Sequence, residues 1–432
     1  MNKDFLLSIL KNEINKTMGC TDPGSVAFAV AKTVEILGAI PQRIDINVSP
    51  NIYKNGINVG VPNTGKRGLL YSAAVGISLH SYTEKKLDIL RFANKKDLVA
   101  AQKYLNEGRI NISCMENPPN LLYINTKAYF EKDCAGVTLE GDYTNITETF
   151  INEKREKHAN CFSDVESKLH ELVKHPVQDI LKIVDTFSLS EIEFLIEYAQ
   201  INKNTALSGY NSNKLCLSNA LCLKNKNLDF PYSASFLAKF YTGSAAEARM
   251  IGLALPIISI SGSGNHGITS FLGVLSVGET LKSEDLELAK ALAISSLITI
   301  YIKGILKRLN AFCGCSVAAS TGVAAATSYL IGGSFEDMTN AMHSVIGALA
   351  GMICDGAKES CAYKLNIAVA TAIEYAYYAK ENHAFIDKNM GIVSTSVEET
   401  FKKLGILNNP GMSETDKWIL NIIIDNQNNH GM

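Results

Sequence analysis

Four cysteines, Cys313 and Cys315 in AFCGCSVAAS and Cys354 and Cys361 in GMICDGAKESCAYK, are the residues of this 432-residue chain best suited to ligating a metal cluster. A thiolate is both a strong nucleophile and a soft metal ligand, so the question is whether folding gathers them. Residues 316–331 are small and apolar with helical character, and Gly332-Gly333 ends the run as C-terminal glycines do. Ser334 with Asp337 three residues on is a capping-box variant, and Met338, Met342, Val345, Leu349 and Met352 carry a second helix to Ile353. Two helices of roughly 24 and 28 Å, at about 1.5 Å per residue, joined by so short a turn must lie antiparallel. The start of the first then meets the end of the second, which brings Cys315 to Cys354. On a straight helix Cys361 would stand roughly 10 Å along the axis from Cys354. Asp355-Gly356 is expected to break the helix and fold Cys361 back.

Free cysteine also packs as a small hydrophobe, and that reading is taken for Cys114, Cys134, Cys161, Cys216 and Cys222. Structural zinc usually takes four ligands from paired C-x(2–4)-C elements, which the chain lacks, although C-G-C offers two sulfurs. Whether Cys313 joins the other three is left open by the spacing.

Three further segments carry chemistry. In Gly19-Cys20-Thr21-Asp22-Pro23, Asp22 suits an N-cap and Pro23 a first helical position. Cys20 then precedes a helix whose dipole favours a thiolate, able to act as a base or nucleophile. In Ser261–Gly267, SGSGNHG, successive backbone N–H groups can form an anion site for a substrate carboxylate, with Ser263, Gly264, Asn265 and His266 as the candidate binding residues. Residues 60–67, GVPNTGKR, follow P-loop spacing but put Arg67 where a hydroxyl should hold magnesium and Pro62 where a donor is needed, so nucleotide binding is not expected. Asn55 and Asn63 in this region could reach a small polar substrate. A hydrolase triad around His266 or His343 and a pyridoxal-phosphate lysine find no supporting pattern.

These segments need a scaffold. Residues 1–40 have helical character; Ile44, Ile46 and Val48 alternate as a strand, with further strands near 110–115, 121–124 and 137–139 and helices near 70–80 and 96–107. Residues 152–160, NEKREKHAN, are charged enough to be a linker, and nearly everything from 162 to 424 has helical periodicity. The expected fold is α+β: a mostly helical catalytic domain of residues 1–40 plus 155–432, with an inserted small α+β domain at 41–154. A formal charge of −2 provides no footprint for nucleic acid. The uncharged runs 250–278 and 309–335 are broken by Pro256 and by Gly, Ser and Thr, so buried helices are expected rather than membrane spans. The N-terminal segment lacks signal-peptide character, which points to the cytoplasm and to reduced cysteines. The apolar helices could support a homodimer.

GCTDP, SGSGNHG, CGCSVAASTG and GMICDGAKESCAYK, in that order, resemble the iron-sulfur L-serine dehydratase alpha-chain family, most closely its single-chain L-cysteine desulfidase branch. The resemblance implies an oxygen-sensitive [4Fe-4S] cluster on Cys315, Cys354 and Cys361, with Cys20 as catalytic base. It further implies β-elimination from a small L-amino acid: L-cysteine to pyruvate, ammonia and sulfide, or alternatively L-serine to pyruvate and ammonia. A non-catalytic iron-sulfur or redox-sensing protein would use the same ligands. The first motif commonly reads GCTEP plus an aliphatic residue, where this chain has Asp22 and Gly24. Some related chains end in a cluster-capping cysteine; here the last residues are Asn429-His430-Gly431-Met432, which implies an open fourth iron.

Overall fold

The structure is a computed structural model that describes residues 1–158, 162–212, 214–215, 217, 229–307, 311–381 and 388–430. Cys161, Cys216 and Cys222 lie outside the described residues. The fold is α+β, as the sequence predicts: helices dominate, and a six-stranded mixed sheet stands to one side. Its strands run in the order Ile110–Cys114, Arg43–Val48, Tyr123–Phe130, Asp133–Glu140, Ile146–Ile151 and Lys154–Lys157. The first pair is parallel and the others antiparallel. The charged stretch read as a linker supplies the outer strand at Lys154–Lys157, all four residues exposed, as suits a sheet edge protected by charge.

Apolar side chains form two large cores. One joins Leu6–Ile14 to residues between Leu172 and Leu404; the other runs from Val26 to Tyr143. The chain passes between them near Gly19. The helix Lys3–Glu13 and strand Ile14–Met18 therefore belong with the helical unit, whereas Thr21–Leu37 packs on the sheet strands Tyr123–Phe130 and Asp133–Glu140. That helix is buried almost all round, so its pattern had no polar face to show which core it joins. Cys20, Val59 and Met250 form a small third cluster at the seam, with Ala357 and Cys361 against it.

The expected antiparallel helix pair is present as Ser320–Leu330 and Phe335–Leu349. Ser334 Oγ accepts from Asp337 N at 3.2 Å and Asp337 Oδ2 accepts from Ser334 N at 2.7 Å, completing the capping box. A π-helical turn, Cys315–Ala319, precedes the first helix. The second ends at Leu349 rather than Ile353 because the chain enters an antiparallel bridge between Phe312 and Ile353. Cys313 N donates to Met352 O at 2.8 Å and Cys354 N to Ala311 O at 2.7 Å. Gly356 (φ +92°) then turns the chain so that Cys361 begins the next helix, Cys361–Lys380.

Among the described residues one helix, Asp285–Leu306, is long and apolar enough to cross a membrane, and 83% of its most apolar window is buried inside the protein, as in a core helix.

A Cβ on residue 356 would meet Lys54 O at 2.5 Å in a conformation that side chains rarely adopt. Gly356→Ala is expected to lower stability by about 1–3 kcal/mol, read from the urea midpoint at unchanged slope.

Candidate active site

Strand Ile14–Met18 pairs antiparallel with Pro256–Ile260, Ile14 opposite Ile260, and each strand leads into one of the motifs. After the first, Gly19 turns and Cys20 caps the helix beginning at Thr21, two residues earlier than an Asp22 cap would give. Cys20 Sγ donates to Asp22 Oδ2 at 3.4 Å, both residues buried. Burial pushes the thiol up to about 12; the Arg249 charge opposes this and the Asp22 charge adds to it. The helix terminus does not outweigh desolvation, so the expected resting thiolate is corrected to a thiol. Burial also raises Asp22, to about 6, against the Cys20 hydrogen bond, the Arg249 charge and the Asn55 side chain.

After the second strand, Ser261 and Gly262 adopt positive φ and the chain folds back as the helix Gly264–Leu281, where Ser263 Oγ accepts from His266 N at 3.5 Å. Arg249, buried at the end of the Tyr232–Met250 helix, donates from Nε to Gly19 O at 2.9 Å and from Nη1 to Asn265 Oδ1 at 3.0 Å. A guanidinium beside a helix N-terminus makes a strong carboxylate site. Gly264 permits this approach, since a Cβ there would stand 2.5 Å from Arg249 Nε. His266 is buried, its Nδ1 3.3 Å from Ile260 O; burial, with the Lys303 charge adding, pushes it down to about 3, so the ring is neutral. Its Nε2 lies 2.1 Å from where a Cβ on Gly314 would be, which explains the glycine between Cys313 and Cys315.

One cavity of about 100 Å³ is lined by Cys20, Asn55, Ser263, Asn265 and His266 together with Cys315, Cys354 and Cys361. Gly264 stands in the same turn. Asn63 is elsewhere: its amide donates to Arg91 O at 3.3 Å and Ala93 O at 2.8 Å, which spends it on holding two loops together. The P-loop-like stretch is a two-residue hairpin whose Arg67 pairs with Glu359 of the cysteine turn. Sequence reasoning gave no binding or catalytic role to Asp22, Arg249, Ser261 or Lys303 and left that of Cys313 open; all five are on the cavity wall. A signal existed for Arg249, the one Lys or Arg between Lys239 and Lys282.

A family model described as "Serine dehydratase alpha chain" matches residues 84–421. The chain belongs to the serine dehydratase alpha chain family. The matched span includes every cavity cysteine except Cys20. A "UPF0597 protein" of Methanocella arvoryzae is 46% identical over 98% of this chain and 99% of its own. Proteins of that name from Caldanaerobacter subterraneus and Clostridium tetani are 36% and 35% identical, each over 99% of this chain and 100% of its own. These relatives extend the likeness over Cys20 and Asn55.

The donor set can be weighed against the cluster that the sequence suggests. Among the described residues no three His, Cys, Asp or Glu side chains close on a single-ion position. Tetrahedral zinc, about 2.3 Å from each sulfur, requires such closure; cysteines of a multi-iron cluster take separate irons round a cavity wall. The thiols Cys313 and Cys315 hydrogen-bond each other, which holds Cys313 low, at about 6, and Cys315 well above the ordinary thiol value. Burial pushes Cys361 up to about 11. Ligation replaces such protons by metal charge. The turn carrying Cys354 and Cys361 is braced by Lys358 Nζ to Asp355 O at 2.8 Å, Lys364 Nζ to Ile353 O at 2.9 Å, and ion pairs of both lysines with Asp355.

Gly314→Ala should displace the His266 ring and destabilise the fold by about 1–3 kcal/mol, as overpacking does. His266→Ala in the same chain should return part of that loss, and a double-mutant cycle by denaturant unfolding measures the coupling.

Proposed function

We propose that the protein is a [4Fe-4S]-dependent β-eliminating lyase acting on a small L-amino acid, with L-cysteine as substrate giving pyruvate, ammonia and sulfide. L-Serine, giving pyruvate and ammonia, is the alternative. One observation carries the reading: an acid–base pair, a carboxylate-binding cation at a helix N-terminus and a cysteine set converge on a single buried cavity. The family membership agrees with it.

Cys315, Cys354 and Cys361 would hold the cluster, which when bound supplies a Lewis-acidic iron for the leaving group. The chain's own groups do the rest. Arg249, Asn265 and the first amides of the Gly264–Leu281 helix bind the α-carboxylate and set Cα beside Cys20. Ser261 Oγ, buried without a protein partner, is placed to accept from the α-ammonium. A thiol raised to about 12 is a poor base alone, so the pair is the working unit: Asp22 takes the thiol proton as the sulfur takes the α-proton. Aminoacrylate leaves and hydrolyses to pyruvate and ammonia. Thiols, Phe312 and Leu365 wall the cysteine end of the cavity, and such a wall desolvates a thiol at lower cost than a hydroxyl, which favours L-cysteine.

The test is anaerobic purification, iron and sulfide analysis and the visible spectrum, followed by pyruvate release from L-cysteine and L-serine in the same sample. A cluster with turnover supports the lyase; a cluster inert to both amino acids points to a sensor, and failure of reconstitution removes the cofactor assignment. Cys20→Ala should keep the cluster absorbance and lose about 10²–10⁴-fold in kcat.

Among the described residues the Asp22 carboxylate is the group that accepts a hydrogen bond from the Cys20 thiol, and burial raises it to about 6. The ratio kcat/KM should therefore rise as pH increases through about 6 and level off above it. Asp22→Asn should lose most activity and this acidic limb together, a pH–rate profile being the measurement.

A further inference from the structure

A cavity of about 740 Å³ lies between the sheet unit and the C-terminal helix Ser413–His430, and no step of the proposed reaction uses it. Pockets for small organic ligands run from about 300 to 1,000 Å³, so the space suits a molecule of nucleoside size. Its walls are mostly apolar, with Pro50, Pro118, Met115, Met412, Leu420 and Ile424. Cys114 adds no charge there, because burial pushes its thiol up to about 11. Among the described residues the lysine on the wall, Lys417, is paired with Glu414, while Asp416 on the same wall is answered by Lys54. With its cations spent and Glu116 also on the lining, this cavity has little to hold a phosphate or a carboxylate.

Asn51 breaks the pattern. It is 5% exposed and lines the cavity, yet its side-chain amide has no hydrogen-bond partner among the described residues. Buried polar groups are nearly always paired, and a primary amide calls for a donor and an acceptor side by side. The amino group and N7 of adenine form such an edge, which an asparagine amide meets with two bonds. Polarisable methionine sulfurs suit the rim of an aromatic ring.

The cavity also adjoins the cysteines. Ala311 is on its wall, and the next two residues, Phe312 and Cys313, are on the wall of the catalytic cavity. Ala311 O accepts from Cys354 N at 2.7 Å, and Ala311 N donates to Asn408 Oδ1 at 3.3 Å. Asn408, a lining residue itself, donates from Nδ2 to Leu306 O at 3.3 Å. We propose that this cavity is a second ligand site, built for an uncharged purine base or nucleoside whose donor–acceptor edge pairs with Asn51, and that its occupancy bears on the bridge carrying Cys313 and Cys354.

The experiment is equilibrium dialysis of the anaerobically purified full chain against adenosine, purine riboside, which lacks the 6-amino group, and AMP. Adenosine should bind saturably, and purine riboside about 10–100-fold more weakly for want of the bidentate pair. AMP, whose phosphate meets no free cation, should also bind more weakly than adenosine. Asn51→Leu should weaken adenosine by about the same factor and change purine riboside little, whereas Leu420→Trp, which fills the space, should abolish binding of all three. Thermal unfolding without ligand reports whether each variant is folded. In wild type, adenosine should slow hydrogen exchange in the peptides that contain Ala311 and Cys354. No saturable adenosine binding, binding that neither folded variant weakens, or AMP binding as tightly as adenosine would overturn the site. Binding that leaves exchange unaltered would overturn its link to the cysteines.

Discussion

A guanidinium buried between two hydrophobic cores is the constraint on which the site depends. An ionised group taken out of water costs several kcal/mol unless its donors are met, and Arg249 spends Nε on Gly19 O and Nη1 on Asn265 Oδ1. These partners belong to different parts of the chain. Gly19 leads into the helix that packs on the sheet, while Asn265 lies in the first turn of a helix in the other core. Satisfying one charge therefore fixes the Cys20 loop against the SGSGNHG turn. The glycines follow from the same crowding: Gly264 admits the guanidinium and Gly314 admits the imidazole.

Cys20 shows how burial alters a role suggested by local sequence. A helix N-terminus stabilises a nearby anion by about 0.3–1 kcal/mol when exposed. A sulfur with almost no solvent loses more than that, and the neighbouring carboxylate adds repulsion. The outcome is a thiol donating to Asp22 rather than a standing thiolate. Asp22 is the natural partner because its own burial brings its affinity for protons closer to the middle of the pH scale. In the proposed lyase two groups unsuited to base chemistry alone share it, and the aspartate of GCTDP holds the Cys20 thiol rather than capping the helix.

The cysteine geometry was legible in the sequence because it rested on local rules. Ser334–Asp337 capping, the Gly332 stop and the length of the two helices force an antiparallel pair, and the break at Gly356 returns Cys361 as expected. The domain partition was less so. Thr21–Leu37 is apolar on all sides, and nothing in its periodicity says that it packs on the sheet rather than with the helices. The pairing of Ile14–Met18 with Pro256–Ile260 joins residues some 240 positions apart, beyond any window of local pattern. Asn63 looked like a ligand for its polar type and glycine-rich setting, but two backbone carbonyls claim its amide. Arg249 stood out only as a lone cation in a long run, and its meaning came from where the run was buried.

Charge sets the last condition. Around the cavity Arg249 and Lys303 are cationic, Asp22 is the balancing carboxylate, and His266 is neutral. Burial resists ionisation of Cys315 and Cys361, whereas Cys313 is held low by its hydrogen bond with Cys315. In the proposed lyase, thiolates formed on ligation and a substrate carboxylate are the anions that complete this lining. The backbone conformations needed to assemble it, positive φ at Gly19, Ser261, Gly262 and Gly356, gather at this seam, where two well-packed cores can hold them in place.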